Sequence, residues 1–401
     1  MTVSSGPTNP YIREFETTIE GINNRDVILE ETYFYPQGGG QPADKGYIGS
    51  HNVIDVSKNK SNVIHTLEDT PTFAAGDTIT CEIDNTFRTY CMRAHTASHA
   101  LYGAARQELN NLGYGGFDID ETKVRVDFET TSEIDDDTLT ELERLVNSVV
   151  WESRDVMWRE IPKDDALAND YIAFNAATQE GVFESSETIR VVEIEDWDLA
   201  ACGGTHVQNT NEIGLITILD RSNPGEGLTR VEFAVGPPAI NHQTEQRAAS
   251  RAAARRLAAP LEEIDEAVKE LQEQKADIEQ ERDRLQQKIV EFELATLETI
   301  ERDGSKIAIG TVTMGNVNDI SDQLRSKVGN GVNGALVVGN QDTTFVVAAT
   351  DGSINANAMI QDITEKFGGG GGGQNTFAQG GGLTVPPDDV IPYIRSELTF
   401  E

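Results

Sequence analysis

Two pairs of residues are spaced for chemistry. His95 and His99 lie four apart in Arg93-Ala94-His95-Thr96-Ala97-Ser98-His99, and Cys202 and His206 share that spacing in Cys202-Gly203-Gly204-Thr205-His206. On a helix, positions i and i+4 project from one face, so the first pair can aim both imidazoles at one metal ion. The second pair reads as a loop, because its two glycines free the backbone to turn back. Imidazole nitrogen with thiolate sulfur suits tetrahedral zinc, one ion per chain. Each pair also has a plainer reading, as unrelated surface histidines or as a buried thiol beside a turn. Two pairs among six histidines and three cysteines favour the metal. Cys81 and Cys91 have no such spacing and read as structural. His51, His65 and His242 lack sequence partners and read as solvent-facing or hydrogen-bonded.

The elements that must position these donors come from a chain of 401 residues, long enough for two to three domains. Its 38% hydrophobic content fits a folded, water-soluble protein, and no stretch approaches the roughly 20 apolar residues of a membrane span. The N-terminus has no basic segment followed by an apolar one, so no signal peptide is read there. Three cysteines, an odd number, point to a reducing cytosol with thiols free for metal. The net charge of −36 is spread along the chain, which favours adaptation to molar salt over an acidic tail, and a salt-loving archaeon as the source. It argues against nucleic acid at first sight, but less so in concentrated salt, where counterion release contributes little.

Residues 1–90 alternate in the strand manner at Thr17–Glu20, Asp26–Glu30, Asn62–Thr66 and Asp77–Ile83, which suggests a small β-barrel. A glycine-rich loop, Phe34-Tyr35-Pro36-Gln37-Gly38-Gly39-Gly40-Gln41, interrupts it. Over 91–240 the pattern is α+β: the histidine helix, a strand at Lys123–Phe128, an amphipathic helix over Asp135–Glu152, then strands at Ile189–Ile194, Gly214–Leu219 and Gly227–Val235. Residues 241–303 are helical. After Pro260 one helix is predicted to run to about Arg302, with apolar residues alternating by three and four at Leu261, Ile264, Val268, Leu271, Ile278, Leu285, Ile289 and Phe292. Lys275 and Arg282 interrupt that register. Such a stripe is a coiled-coil seam for self-association, or else a face packed back on residues 243–259. Over 304–401 a fresh α/β pattern begins, with buried-type strands at Ser305–Gly310, Gly334–Gly339 and Thr343–Ala349. A block of six glycines, Gly368 to Gly373, follows there. A flexible linker is the usual meaning of so much glycine, but inside a domain a linker fits poorly, and successive N–H groups could instead form a nest for phosphate. The expected fold class is therefore α+β: barrel, zinc-binding domain, long helical segment and C-terminal α/β module.

With these motifs in order, the chain resembles the alanyl-tRNA editing proteins, free-standing relatives of the editing half of alanyl-tRNA synthetase. The resemblance rests on Phe34 to Gln41 with Asp44 and Gly46, on Arg93 to His99, and on Glu195-Asp196-Trp197 leading to Ala201-Cys202-Gly203-Gly204-Thr205-His206. It continues through Gly225-Glu226-Gly227 with Arg230 and Glu232, and ends with Gly368 to Gly373 and Ala378-Gln379-Gly380-Gly381-Gly382, which look like the synthetase's C-terminal module. The long form of the family carries that module. What the resemblance implies is hydrolysis of seryl or glycyl ester on tRNA(Ala), assisted by zinc on His95, His99 and Cys202. His206 would be a fourth ligand or a second-shell partner. It implies that Gln41 bonds the water or the terminal adenosine, or else fixes the glycine loop. Substrate and tRNA contacts fall to Gly38, Gly39, Gly40, Arg93, Lys45, Arg230, Gly370 and Gly371, and Thr96 or Thr205 would meet a seryl hydroxyl. A homodimer through 261–300 and the C-terminal module is a further expectation. No adenylate-forming domain precedes the barrel, so the chain is expected not to charge tRNA. The alternatives are a tRNA-binding module with a structural zinc, threonyl-type editing, and a phosphoesterase. The last needs an Asp-His-His cluster that the sequence lacks.

Overall fold

The computed structural model describes residues 2–59, 62–174, 187–225, 227–302, 304–313, 317–329, 331–340 and 342–398. Glu226 of the Gly225-Glu226-Gly227 motif lies outside them. The chain divides into two compact units, Met1–Ala252 and Ala253–Glu401, and their boundary falls inside the helical segment read from sequence as 241–303.

In the first unit β1 (Val3–Ser4) pairs in parallel with β4 (Glu31–Thr32). Six further strands close into a barrel: β2 (Glu14–Asn23), β3 (Asp26–Leu29), β5 (Gly46–Ile48), β6 (His51–Asn59), β7 (Asn62–Leu67) and β8 (Thr78–Ile83), in the order β2-β3-β7-β6-β5-β8. Alternation explains the closure. In β7 every second residue, Val63, His65 and Leu67, is buried, so one face fills the interior and the other faces out.

Helix α1 (Asn85–Glu108) follows directly. Asp84 caps it, its carboxylate accepting the N–H groups of Thr86 at 2.8 Å and Phe87 at 3.0 Å. Its middle is buried nearly all round, which its small residues Ala94, Ala97, Ala100 and Ala104 permit. At Gly103 a Cβ would stand 2.3 Å from the Trp197 indole nitrogen, and that nitrogen donates to the Ala100 carbonyl at 2.8 Å. Against α1 lie a four-stranded sheet and the helix α2 (Asp136–Glu152). The sheet holds β9 (Gly113–Ile119), β10 (Val124–Glu129), β14 (Ile216–Gly225) and β15 (Leu228–Val235), in the order β14-β15-β10-β9. A second, three-stranded sheet holds β11 (Val156–Pro162), β12 (Thr188–Ile194) and β13 (Asp198–Ala201), with α3 (Lys163–Leu167) after β11. The unit ends in α4 (Pro237–Leu257).

One buried ion pair ties barrel to helix. Arg88 on α1 is fully enclosed; its Nε donates to the Asp44 carboxylate at 2.9 and 3.0 Å, and Nη2 bonds the same group. The remaining donors reach the carbonyls of Pro10 at 3.0 Å and Tyr33 at 2.7 Å. Asp44 in turn accepts the Tyr35 N–H at 2.6 Å. The glycine-rich loop between Tyr35 and Asp44 is thus anchored at both ends on α1. Removing one partner of such a pair leaves an uncompensated buried charge, at about 3–5 kcal/mol.

The second unit departs from expectation at two places. The long helix, α5 (Ile264–Ala295), stops at Ala295, and β16 (Glu298–Arg302) occupies the stretch predicted to be its end. No glycine or proline marks that boundary. The β-branched residues Thr296, Thr299 and Ile300 are its only local signal. The sheet of the C-terminal module therefore begins before residue 304. It adds β17 (Ser305–Val312), β18 (Gly334–Asn340), β19 (Thr344–Thr350), β20 (Gly370–Gln374) and β21 (Phe377–Leu383), in the order β16-β17-β18-β19-β21-β20. Helices α6 (Val317–Lys327), α7 (Ala356–Phe367) and α8 (Pro387–Ser396) complete the unit.

The glycine block forms a hairpin and not a nest: Gly370 pairs with Gly381 and Gly371 with Gly380. Along a strand successive N–H groups point to opposite sides, so they do not converge on one anion. Glycine is needed there for closeness. A Cβ on Gly371 would lie 2.4 Å from the Gly380 Cα and 2.9 Å from Ile360 of α7. On α5 only the last turns are covered, by Val290 and Leu294. The seam residues Leu271, Ile278, Leu285 and Phe292 remain exposed, Ile278 and Phe292 at 70%. No helix among the described residues is long and apolar enough to cross a membrane.

His65 supplies a test of the barrel. It is enclosed, with Nδ1 3.2 Å from the Val27 carbonyl and Nε2 2.9 Å from the Thr32 hydroxyl. Burial depresses its pKa to about 4 from 6.5. Between those values the unfolded chain binds a proton that the folded chain refuses, so stability falls as pH drops through that window. The full loss is about 3 kcal/mol. Urea midpoints measured from pH 7 to pH 4 are expected to fall less steeply in His65→Gln than in the native chain. Equal slopes would refute this role.

Candidate metal centre

α1 presents His95 and His99 from consecutive turns, and the segment after β13 brings Cys202 and His206 against them. The four donor atoms all lie within 4.8 Å of one another. The Cys202 Sγ is 3.2 Å from Nε2 of His95 and 3.2 Å from Nε2 of His206. A tetrahedral site with zinc-like bond lengths has edges of about 3.5 Å. His206 therefore stands with the other donors, on the same footing as His95.

The second nitrogen of each ring decides whether the first can bind a metal. His95 Nδ1 lies 2.9 Å from Gln41 Oε1. That atom also accepts the Thr205 N–H at 3.0 Å, while Gln41 Nε2 donates to the Thr205 hydroxyl at 2.9 Å, so the amide orientation is settled by its partners. His99 Nδ1 lies 3.1 Å from Asp198 Oδ2. His206 Nδ1 lies 3.2 Å from the Thr96 hydroxyl, which spends its own proton on the Met92 carbonyl at 2.8 Å and accepts the Val207 N–H. All three acceptors demand a proton on Nδ1. All three Nε2 lone pairs are then free and face Cys202.

Charge is balanced inside the cluster. Burial pushes the Cys202 thiol up, but His95 and His206 outweigh it and hold the thiol well below its ordinary value. Burial pulls His99 down, yet Asp198 and Cys202 raise it to about 10. His206 is lowered to about 3, first by burial. The metal-free cluster thus favours a thiolate beside an imidazolium, and a bound cation takes the place of that proton. Three imidazoles and one thiolate, each ring oriented from behind, fit a divalent, borderline-soft metal.

The loop geometry follows from space. Arg190 Nη1 donates to the carbonyls of Cys202 at 2.7 Å and Gly204 at 3.1 Å, folding the loop back onto β12. A Cβ on Gly204 would meet the His95 ring at 2.1 Å. Gly40 has φ +84°, and a Cβ there would meet the Phe117 carbonyl at 2.2 Å. Phe117 packs on His95 with ring centroids 4.7 Å apart. In front of the donors is a cavity of about 310 Å³, walled by Tyr35, Pro36, Tyr102, Tyr114 and Phe117.

The other residues singled out by sequence divide sharply. Gly38 and Gly39 line the cavity, and Gly40 packs behind them on Phe117. Gln41 is buried behind His95, bonded to its Nδ1, and does not line the cavity. Thr96 and Thr205 are fully enclosed and neither lines the cavity; the Thr96 hydroxyl donates to the Met92 carbonyl and the Thr205 hydroxyl accepts from Gln41. Arg93 donates to the Glu212 carbonyl at 2.7 Å, Arg230 grips Asp127 at 2.7 and 2.9 Å, and Lys45 pairs with Glu121 at 3.1 Å. None of these three lines the cavity. Gly370 and Gly371 belong to the second unit's hairpin. Sequence reasoning passed over Asp198, Arg190 and Lys58. Asp198, a carboxylate four residues before Cys202, carried the only readable signal.

Residues 189–232 match the family described as the threonyl and alanyl tRNA synthetase second additional domain. Residues 9–87 match tRNA synthetases class II (A), and residues 304–394 match the DHHA1 domain. The chain is 33% identical over 385 residues to an alanine–tRNA ligase of Thermococcus kodakarensis and 31% identical over 390 residues to one of Halobacterium salinarum. Each alignment covers 93% of this chain but 41% of the ligase. Among solved structures, the C-Ala domain of Aquifex aeolicus alanyl-tRNA synthetase aligns at 18% identity with a TM-score of 0.23, covering 25% of this chain and 98% of that domain.

Groups that hold the far nitrogen of a metal-binding histidine change metal affinity by about 10- to 100-fold. Gln41→Leu and Asp198→Ala are each expected to weaken metal binding by that order in a chelator competition. Native affinity in both variants would mean that the rings are oriented by packing alone.

Proposed function

The chain belongs to the family of editing proteins related to alanyl-tRNA synthetase, and from that premise we propose that it is a deacylase of mischarged tRNA(Ala). Its substrates are seryl or glycyl ester at the 3′ end, and its resident metal is zinc. One observation carries the reading: three oriented imidazoles and a thiolate converge at the floor of a cavity large enough for a small ligand. Similarity along 93% of the chain to alanine–tRNA ligases supports alanine over threonine as the cognate identity, although the matching domain family includes both.

A zinc ion held by His95, His99, Cys202 and His206 would supply Lewis-acid chemistry, polarising a carbonyl and acidifying water, provided that His206 yields its place or the ion accepts a fifth donor. The chain's own residues do the rest. Gln41, Asp198 and Thr96 keep the Nδ1 protons in place, so no ring turns as charge develops. Tyr35, Tyr102, Tyr114 and Phe117 exclude bulk water and strengthen each electrostatic contact at the floor. The turn at Gly38 and Gly39, without side chains, lets a substrate backbone or ribose approach closely.

The deciding assay is release of serine from seryl-tRNA(Ala) in molar KCl, a condition chosen for the net charge of −36. Native protein is expected to hydrolyse the seryl and glycyl esters and spare alanyl-tRNA(Ala). Cys202→Ala and the chelator-stripped protein are expected to lose at least 100-fold while their circular dichroism stays native. A folded, zinc-loaded chain that releases neither serine nor glycine would leave a tRNA-binding role with a structural metal.

The exposed apolar stripe on α5 supports a homodimer joined through 261–300 and the C-terminal module. Sedimentation is expected to give a dimer for the native chain and a monomer for the double variant Ile278→Glu with Leu285→Glu. A native monomer at micromolar concentration would refute that seam.

A further inference from the structure

We propose that Lys58 binds the phosphate on the 5′ side of the substrate's terminal nucleoside, an inference that rests on the aminoacyl-ester reading above. The cavity has a depth order. His95 and His99 at its floor are 4% and 7% exposed, whereas the exposed residues that line it, Ser4, Gln37, Gly39, Lys58 and Gly203, mark its rim. Lys58 is fixed to that rim by the backbone. The carbonyl of Val56 on β6 accepts the Gln37 N–H at 2.9 Å, which pins the glycine-rich loop to the strand. Lys58 lies two residues further along β6, about 7 Å on.

Among the residues that line the cavity, Lys58 is the one lysine or arginine. Acidic residues outnumber basic ones 68 to 32, and in the same unit Lys45, Arg88, Lys123, Arg125 and Arg230 each pair with a carboxylate. Lys58 has no ion pair among the described residues. The one carboxylate among the residues lining the cavity is Asp198, which is 2% exposed and engaged with His99. A single unneutralised ammonium therefore stands at the mouth of a cavity whose walls are aromatic, glycyl or small. On a strongly acidic protein, that is the place where one anionic group is admitted. An aminoacyl ester whose carbonyl sits over the donors directs its ribose 5′ oxygen outward, so the nearest phosphate arrives at the rim. Lysine, a compact point charge on a flexible stem, suits such a contact.

The test uses the zinc-loaded full chain and two non-hydrolysable probes, 3′-deoxy-3′-serylamido-adenosine and its 5′-monophosphate. Affinities are measured by calorimetry at fixed ionic strength. The native chain is expected to prefer the phosphorylated probe by about tenfold, a margin that shrinks with added KCl. Lys58→Ala is expected to abolish that preference, Lys58→Glu to reverse it, and Lys58→Arg to retain most of it. An unchanged preference in Lys58→Ala would overturn the assignment while leaving the deacylase reading intact. A native chain that binds neither probe would overturn both.

Discussion

An imidazole carries two nitrogens and, when neutral, one proton, so a ring can offer a lone pair to a metal only if something accepts the proton on the other side. Three rings meet this condition together here, and their acceptors come from three places. Gln41 reaches in from the barrel's glycine-rich loop, Asp198 from β13, and Thr96 from the helix that carries two of the rings. The barrel, the antiparallel hairpin β12–β13 and α1 must all be in register for the lone pairs to converge. A buried donor left without its acceptor costs about 1–3 kcal/mol, so a misplaced element is felt at the centre.

Much of the first unit can be understood as enforcing that register. The Arg88–Asp44 pair locks the loop that delivers Gln41 onto α1. Arg190 folds the Cys202–Gly204 loop against β12, and Trp197 seals the hairpin to α1 through the Ala100 carbonyl. Glycine appears where these elements touch: Gly204 under His95, Gly40 against Phe117, and Gly103 beneath Trp197. At each, a single added carbon would collide with a group that cannot move without disturbing a ligand.

The charge distribution complements this rigidity. The chain is acidic throughout, yet its cavity is walled by aromatic and small residues, with its one carboxylate held by a ring and, at its edge, a lysine with no ion pair among the described residues. Lys58 is the one lysine or arginine among the residues lining the cavity. The second unit contributes differently. It presents an uncovered apolar seam along α5 and a hairpin whose glycines bring β20, β21 and α7 into close contact.

The candidate ligand residues, the helix that bears two of them, the amphipathic helix α2 and the alternating strands of the barrel were all legible in sequence, because spacing and periodicity are local properties of the chain. Where local signals were faint the reading went astray. The long helix lacked a glycine or proline at Ala295, and a run of glycines could equally have been a loop or a strand. The orientation of the site was not legible. Gln41 meets His95 across 54 residues, Asp198 meets His99 across 99, and Thr96 meets His206 across 110. The sequence by itself determined which atoms could bind a metal. Only the tertiary structure decided which nitrogen of each ring is free to do so, because that choice belongs to a hydrogen-bond partner brought in from elsewhere in the fold.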